Sequence, residues 1–323
     1  MQTCLRYAVL GTGNIVKEFI AAARGTPLRL GAVCSRSARR GAAFAREIGE
    51  PELPVFEGVE RLAQAADIDA CYVASPNGCH AAQCAALLSA GKHVLCEKPA
   101  AAPAALEQLH ALARERNLIF AEAIMYLQTP MRRAVLEALP KLGRITSAMI
   151  DFSQRSSRYD RYLAGETPNI FNPALAAGAW MDLGVYCIYP ALDFFGEPEE
   201  AKAIFHTLRT GADGAGAAIL RYPDFPVTLT WSKTGQSRGV SQILGDNGTL
   251  TLQSISQFQG IALYDREGGA RRLDAPLAKP EVMRYEAQAF CDMIRGKPTA
   301  VALPEANALS LRVSRWMEKI LNG

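Results

Sequence analysis

Leu5-Arg6-Tyr7-Ala8-Val9-Leu10-Gly11-Thr12-Gly13-Asn14-Ile15-Val16 is the stretch that decides the fold. A short apolar run passes straight into a Gly-x-Gly turn and the turn opens a helical pattern, the context that a dinucleotide-binding turn requires. Gly11 permits the tight turn. Gly13 lets a pyrophosphate approach main-chain N–H groups at the helix N-terminus, where the dipole favours an anion. Asn14 and Ile15 belong to the same candidate cofactor site. The third glycine position of the motif carries Val16, which implies a slightly wider fit of helix on strand.

Working outward, apolar runs at Arg6–Leu10, Leu28–Val33, Ala70–Ala74, His93–Cys96 and Leu118–Ala121 alternate with amphipathic stretches at Ala38–Ile48, Ala81–Ser89 and Pro103–Arg116. Such alternation predicts an α/β fold with a parallel, doubly wound sheet. Residues 1–123 are expected to form a dinucleotide-binding Rossmann domain, with 124–323 as a substrate domain. The last helices, Met283–Ile294 and Glu305–Leu321, are candidates to pack back on the first domain. Beyond Ala201 the text reads as β, with strands at Ala215–Arg221, Val227–Ser232, Val240–Leu244 and Thr249–Leu252. Helical patterns at Met131–Leu139 and Met181–Phe195 flank an irregular stretch from Ser153 to Pro173, either a mobile surface loop or a substrate-facing lid.

Ligands of doubly wound sheets bind at the carboxyl ends of the strands, so those ends supply the candidate residues. After the second strand stands Cys34-Ser35-Arg36-Ser37, with no carboxylate for a ribose diol. Ser35 and Arg36, with Arg39 or Arg40 beyond, suit a 2′-phosphate and predict NADP in preference to NAD. The alternative for this densest basic stretch is a solvated helix start. Ser75-Pro76-Asn77 ends the next strand. Asn77 and His80 are candidates to line the cofactor path, His80 being otherwise a helix-start residue with a satisfied ring nitrogen. Glu97-Lys98-Pro99 follows, with proline biasing Lys98 toward extended geometry. The sequence leaves the isomer of the Lys98-Pro99 bond open.

The chain has 323 residues, 49% of them hydrophobic, enough for two cores. Its formal charge of +3 comes from 35 basic and 32 acidic residues without like-charge blocks, which argues against nucleic acid as a partner. Eight cysteines show neither C-x-x-C pairing nor zinc spacing, and several sit in apolar runs, as in a reducing cytoplasm. No run approaches 18 apolar residues and no leader pattern is read, so neither a membrane nor export is expected.

Gly11-x-Gly13, Ser75-Pro76-Asn77-x-x-His80, Glu97-Lys98-Pro99, Glu122-Ala123-x-Met125-Tyr126 and Gly178-Ala179-Trp180-Met181-Asp182-Leu183-Gly184-Val185-Tyr186 together resemble the glucose-fructose oxidoreductase and inositol dehydrogenase (Gfo/Idh/MocA) family. The likeness spans nearly the whole chain and looks greatest to the branch holding dimeric trans-dihydrodiol dehydrogenase and bacterial sugar oxidoreductases. It implies a second domain with a large, open, mostly antiparallel sheet, through which a homodimer or homotetramer would form. It also implies hydride transfer between a nicotinamide and a carbinol carbon of a sugar, cyclitol or diol. By position, Lys98 takes the family lysine's role and Tyr186 the acid/base role. Many relatives carry arginine where Leu127 stands and histidine where Thr129 stands.

Asp182 and Tyr186 are four apart in an expected helix, hence on one face. Glu97 and Lys98 join the cofactor set, and no metal is required. Lys98, Tyr186 and Asp182 form the expected catalytic set, with Lys98 carrying charge, Tyr186 exchanging a proton and Asp182 positioning. Tyr126, Arg158, Tyr162, Asn169 and Asn172, joined by Asp182 and Tyr186, are the candidate contacts for a polyhydroxylated substrate. Arg155 and Tyr159 extend that set. Two other functions compete: a redox-neutral NAD-dependent glycosidase of the same family, and a catalytically silent dinucleotide-sensing regulator.

Overall fold

The computed structural model describes residues 4–323. Along the first part of the chain run β1 (Leu5–Leu10), α1 (Asn14–Ala23), β2 (Leu28–Ser35), α2 (Ala38–Glu47), β3 (Val55–Glu57), α3 (Val59–Ala63), β4 (Ala70–Val73), α4 (Asn77–Ser89), β5 (His93–Glu97), α5 (Pro103–Glu115) and β6 (Phe120–Ala123). The six strands form one parallel sheet in the order β3-β2-β1-β4-β5-β6. The chain reverses its direction of growth between β1 and β4, which puts the crevice for a ligand beyond their carboxyl ends. Both faces are covered, and accordingly Ala8, Val9, Ala70, Cys71, Val73, Val94 and Cys96 are wholly buried.

Two boundaries differ from the sequence reading for local reasons. The last parallel strand starts two residues later than expected, because Asn117 takes a left-handed conformation (φ 52°) and the N–H of Leu118 closes α5 on the carbonyl of Ala113. The helix expected from Ala81 begins at Asn77, directly after Pro76, whose φ of −60° leads into the first turn. β3 and α3, at three and five residues, are too short to leave a periodic signal.

Then follow α6 (Pro130–Ala138), β7 (Ile145–Ser153), α7 (Tyr159–Leu163), α8 (Val185–Phe195), β8 (Glu200–Thr207), β9 (Asp213–Arg221), β10 (Pro226–Ser232), β11 (Ser241–Gly245), β12 (Gly248–Ser254), β13 (Gln259–Asp265), β14 (Ala270–Arg272), α9 (Lys279–Ile294) and α10 (Leu303–Asn322). The second sheet has eight strands, ordered β14-β13-β12-β11-β7-β10-β9-β8. Every neighbouring pair in it is antiparallel except β7 with β10. β7 was not among the strands expected from sequence, yet it lies inside the sheet. Its apolar residues fall on both faces, Ala148 and Ile150 inward and Met149 outward, which erases the alternation.

The chain divides into two compact units, Met1–Gln128 with Ala278–Ala308, and Thr129–Leu277 with Leu309–Gly323. Within the first, α9 lies along α1, and Lys279 pairs with Glu18. In the second, Pro173–Phe195 is long and apolar enough by composition to cross a membrane, but 67% of its most apolar window is buried and it forms core. Arg132 of α6 grips Asp193 of α8 with two bonds of 2.8 and 2.7 Å, joining two elements of that unit.

Candidate functional site

Two groups of candidate residues stand out, one in each unit. In the first unit the chain leaves β1 at Gly11, whose φ of +119° only glycine adopts readily; a Cβ there would stand 2.5 Å from the carbonyl oxygen of Ala74. The turn after β1 therefore lies directly against the turn after β4. Gly13 precedes α1 in extended geometry, and a Cβ built on it would meet nothing within 4 Å. No side chain caps α1 and its first turn holds no acidic residue, so no side chain of that turn competes with an anion there. This is a cradle that fits a pyrophosphate. Val16 is fully buried in the core instead.

The turns that carry Ser75-Pro76-Asn77 and Glu97-Lys98-Pro99 meet at a buried histidine. The His80 ring, with no exposed surface, lies 3.0 Å from the carbonyl of Pro99 by Nδ1 and 2.8 Å from that of Ser75 by Nε2. Burial lowers its pKa and keeps the ring neutral, although both carbonyls favour the charged form. His80 thus ties the turn after β4 to the turn after β5, the satisfied-ring alternative of the sequence reading. The Lys98-Pro99 bond is cis, and Lys98 is buried. Glu97 takes a hydrogen bond from the Tyr72 hydroxyl, and Glu122 accepts one of 2.6 Å from the N–H of Ala100.

Sequence reasoning missed two carboxylates here. Glu57 pairs in register with Ser35, and its Oε2 accepts the N–H of Ala38 at 3.2 Å, beside the exposed Arg36, Arg39 and Arg40. Only strand register could have revealed it. Glu286, on α9, is buried with neither carboxyl oxygen hydrogen-bonded among the described residues. Burial raises its pKa well above the ordinary carboxylate range, and the charge of Glu97 raises it further. Glu97 itself is raised by burial, with the Lys98 charge pulling the other way.

In the second unit, the glycines and tryptophan of the Gly178–Tyr186 segment are packing residues. Gly178 (φ +152°) makes room for Asp213, whose Oδ2 accepts the Trp180 N–H at 2.7 Å and the Trp231 indole N–H at 3.2 Å. Gly184 leaves space that the Trp180 ring fills, since a Cβ would stand 2.0 Å from it. Trp180 packs on Trp231 at 4.4 Å and donates its indole N–H to the Met317 carbonyl. Asp182 and Tyr186 do not share one regular helix as expected. Trp180–Gly184 is a π-helical turn, and α8 starts after it. Such turns interrupt helices at functional positions often. Asp182 forms an ion pair with Lys233, just past β10, while Tyr186 meets Phe152 of β7 edge-on at 5.2 Å. β7 and β10 are neighbours, with Phe152 opposite Trp231, so both side chains reach one end of one strand pair.

Several of the other expected substrate contacts have structural surroundings of their own. Tyr126 is 1% exposed, within the core. Tyr162 is a core residue too. It packs with Phe171 and Leu208, its hydroxyl accepts the Arg209 N–H at 2.9 Å, and the Arg209 guanidinium covers its ring at 4.3 Å. That small core orders the stretch that carried no periodicity. Asn172 accepts the Ala174 N–H at 3.1 Å and caps a 3₁₀ turn, and Arg155 pairs with Asp160. Arg158 and Asn169 are exposed. Leu127 is buried, and Thr129 caps α6 through the Arg132 N–H.

Residues 5–123 match the oxidoreductase family with an NAD-binding Rossmann fold, and 137–251 match the GFO/IDH/MocA C-terminal domain. The chain belongs to the Gfo/Idh/MocA family. It is 37% identical over 292 residues to the uncharacterized oxidoreductase YgjR of Escherichia coli (strain K12). Over 293 residues it is 35% identical to scyllo-inositol 2-dehydrogenase (NADP(+)) IolU of Bacillus subtilis (strain 168). Each match covers 90% of this chain and 88% of the relative. The 3-ketoreductase KijD10 from Actinomadura kijaniata, solved with NADP and TDP-benzene, superposes with a TM-score of 0.84 at 25% identity over 99% of this chain and 97% of that one. The fold class and family expected from sequence are met, and this Gfo/Idh/MocA member is an NAD(P)-binding oxidoreductase.

Two tests follow from this geometry. Gly13→Ala should leave thermal stability unchanged and weaken cofactor binding by about tenfold or more, ~1.4 kcal/mol, whereas Gly11→Ala should lower stability by about 1–3 kcal/mol; calorimetry and cofactor titration read both, and equal stabilities would refute the assignment. Stability contributed by Glu286 is complete below about pH 4 and is lost as pH rises through its raised pKa. Glu286→Gln should therefore melt higher than wild type at alkaline pH, with the advantage vanishing in acid. Parallel pH curves would show that Glu286 does not titrate as described.

Proposed function

We propose that this protein transfers hydride between NADP and a carbinol carbon of a sugar, cyclitol or diol, with Lys98, Tyr186 and Asp182 handling charge and proton. The observation that carries this reading is the buried Lys98, set immediately after β5 and tied through His80 to the turn that packs against Gly11. The bound nicotinamide would accept or give the hydride. Oxidation of a secondary alcohol also leaves a proton on oxygen. The Lys98 ammonium would hold that hydroxyl and favour its anion, Tyr186 would exchange the proton, and Asp182 would hold substrate.

NADP is supported by the three exposed arginines at the start of α2 and by the NADP in the names of IolU and KijD10. A cyclitol is supported by IolU, a sugar by the D-xylose 1-dehydrogenase (NADP(+)) 2 of Haloferax volcanii at 31% identity, and a diol by the trans-1,2-dihydrobenzene-1,2-diol dehydrogenases, such as the rabbit (Oryctolagus cuniculus) enzyme at 28% identity. All eight cysteines are free thiols, which fits the cytoplasm. Following cofactor absorbance with polyols, dihydrodiols and aldoses, NADP should turn over in preference to NAD, and Lys98→Met should collapse turnover while cofactor affinity holds. Product without net cofactor change would favour the glycosidase alternative, and binding without any turnover the regulator.

The open face of the second sheet supports self-association. Register places Ile219, Thr228, Met149, Gln242, Thr251 and Ala262 in one uncharged row across six strands, and Ile204, 81% exposed, flanks it. Light scattering should find a dimer or tetramer that Ile204→Glu with Ile219→Glu converts to monomer without lowering the melting temperature. A wild-type monomer would dismiss this surface.

A further inference from the structure

Lys233 is absent from every motif and belongs to no expected site. The side chain is nevertheless only 6% exposed, and its ammonium pairs with Asp182, whose side chain is 40% exposed. The pair has a buried end and an open end. Main-chain bonds fix the buried end on both sides, from the Lys233 N–H to the Gly214 carbonyl at 2.8 Å and from the Ser156 N–H to the Lys233 carbonyl at 2.9 Å. The acids nearest along these strands have structural duties: Asp151 accepts the hydroxyls of Ser153 and Thr230, and Asp213 holds Trp180 and Trp231. Asp182 alone of these three has a cation behind it and an outward side.

We infer that Lys233 is a positioning residue for the reaction, an ammonium that holds the Asp182 side chain turned toward substrate. Lys233 is too enclosed to meet a polyhydroxylated ligand itself, so it acts through Asp182. A carboxylate held this way accepts a hydrogen bond from a substrate hydroxyl and leaves proton exchange to Tyr186. The inference rests on the proposed role of Asp182 and Tyr186, and it divides the labour between them.

Lys233→Met should lower kcat on the order of 10²-fold, as a displaced positioning group does, with NADP affinity unchanged because the cofactor cradle lies in the other unit. Lys233→Arg, which keeps the charge, should recover most of the loss. Asp182→Asn should cost a similar factor, and adding Lys233→Met to it should cost about threefold or less further, since the second residue acts only through the first. This double variant leaves no unpaired buried charge, so it remains measurable if Lys233→Met alone fails to fold. Turnover of Lys233→Met within about threefold of wild type, or costs that multiply in the double variant, would overturn the inference. Collapse of Lys98→Met beside an unaffected Lys233→Met would sink this inference and spare the proposed function.

Discussion

The close approach of Gly11 to the carbonyl of Ala74 is the constraint on which the cofactor end depends. Parallel strands have no hairpin to hold their ends together, so the turns beyond β1, β4 and β5 need other ties. Gly11 supplies the first by lacking a Cβ where 2.5 Å is available. His80 supplies the second, bridging the carbonyls of Ser75 and Pro99. A neutral ring has only one N–H to donate, so one of these two carbonyls lacks its proton at any instant. Burial nonetheless keeps the ring uncharged, which spares Lys98 a second positive charge beside it.

The second unit solves a different problem, holding polar side chains at the end of a sheet whose middle is apolar. Asp213 does this with three structural functions at once. Its carboxylate starts the helical segment at Trp180, anchors Trp231 of β10, and occupies the space that Gly178 vacates. Burial raises the pKa of Asp213, while these N–H donors oppose the rise. The tryptophan pair then fixes the segment against the strands, and Gly184 accepts the ring edge.

Much of the parallel domain was legible because turn, strand and helix follow one another in sequence order there. Gly11 and Gly13 stand where their chemistry acts, and the run at 97–99 ends its strand. Register was not legible, and it hid Glu57, which meets Ser35 only through β2–β3 pairing. β7 was hidden because both of its faces carry apolar residues. The aromatic and amide residues between 153 and 173 suggested hydroxyl recognition, yet Tyr162 and Asn172 spend their polar atoms on Arg209 and Ala174. Composition identifies a polar loop but not which partner each group takes, because main-chain groups compete for the same bonds.

The helical segment holding Asp182 and Tyr186 shows what spacing alone omits. In a regular α-helix residues four apart stack on one stripe, and both would address the same point. The π turn widens the first coil, so Asp182 reaches the end of β10 and its lysine while Tyr186 stays over Phe152 on β7. The carboxylate thus meets a group at the end of one strand and the phenol a group on its neighbour. The widened turn therefore lets one short segment give its carboxylate and its phenol different neighbours, the separate surroundings that the proposed division of roles requires.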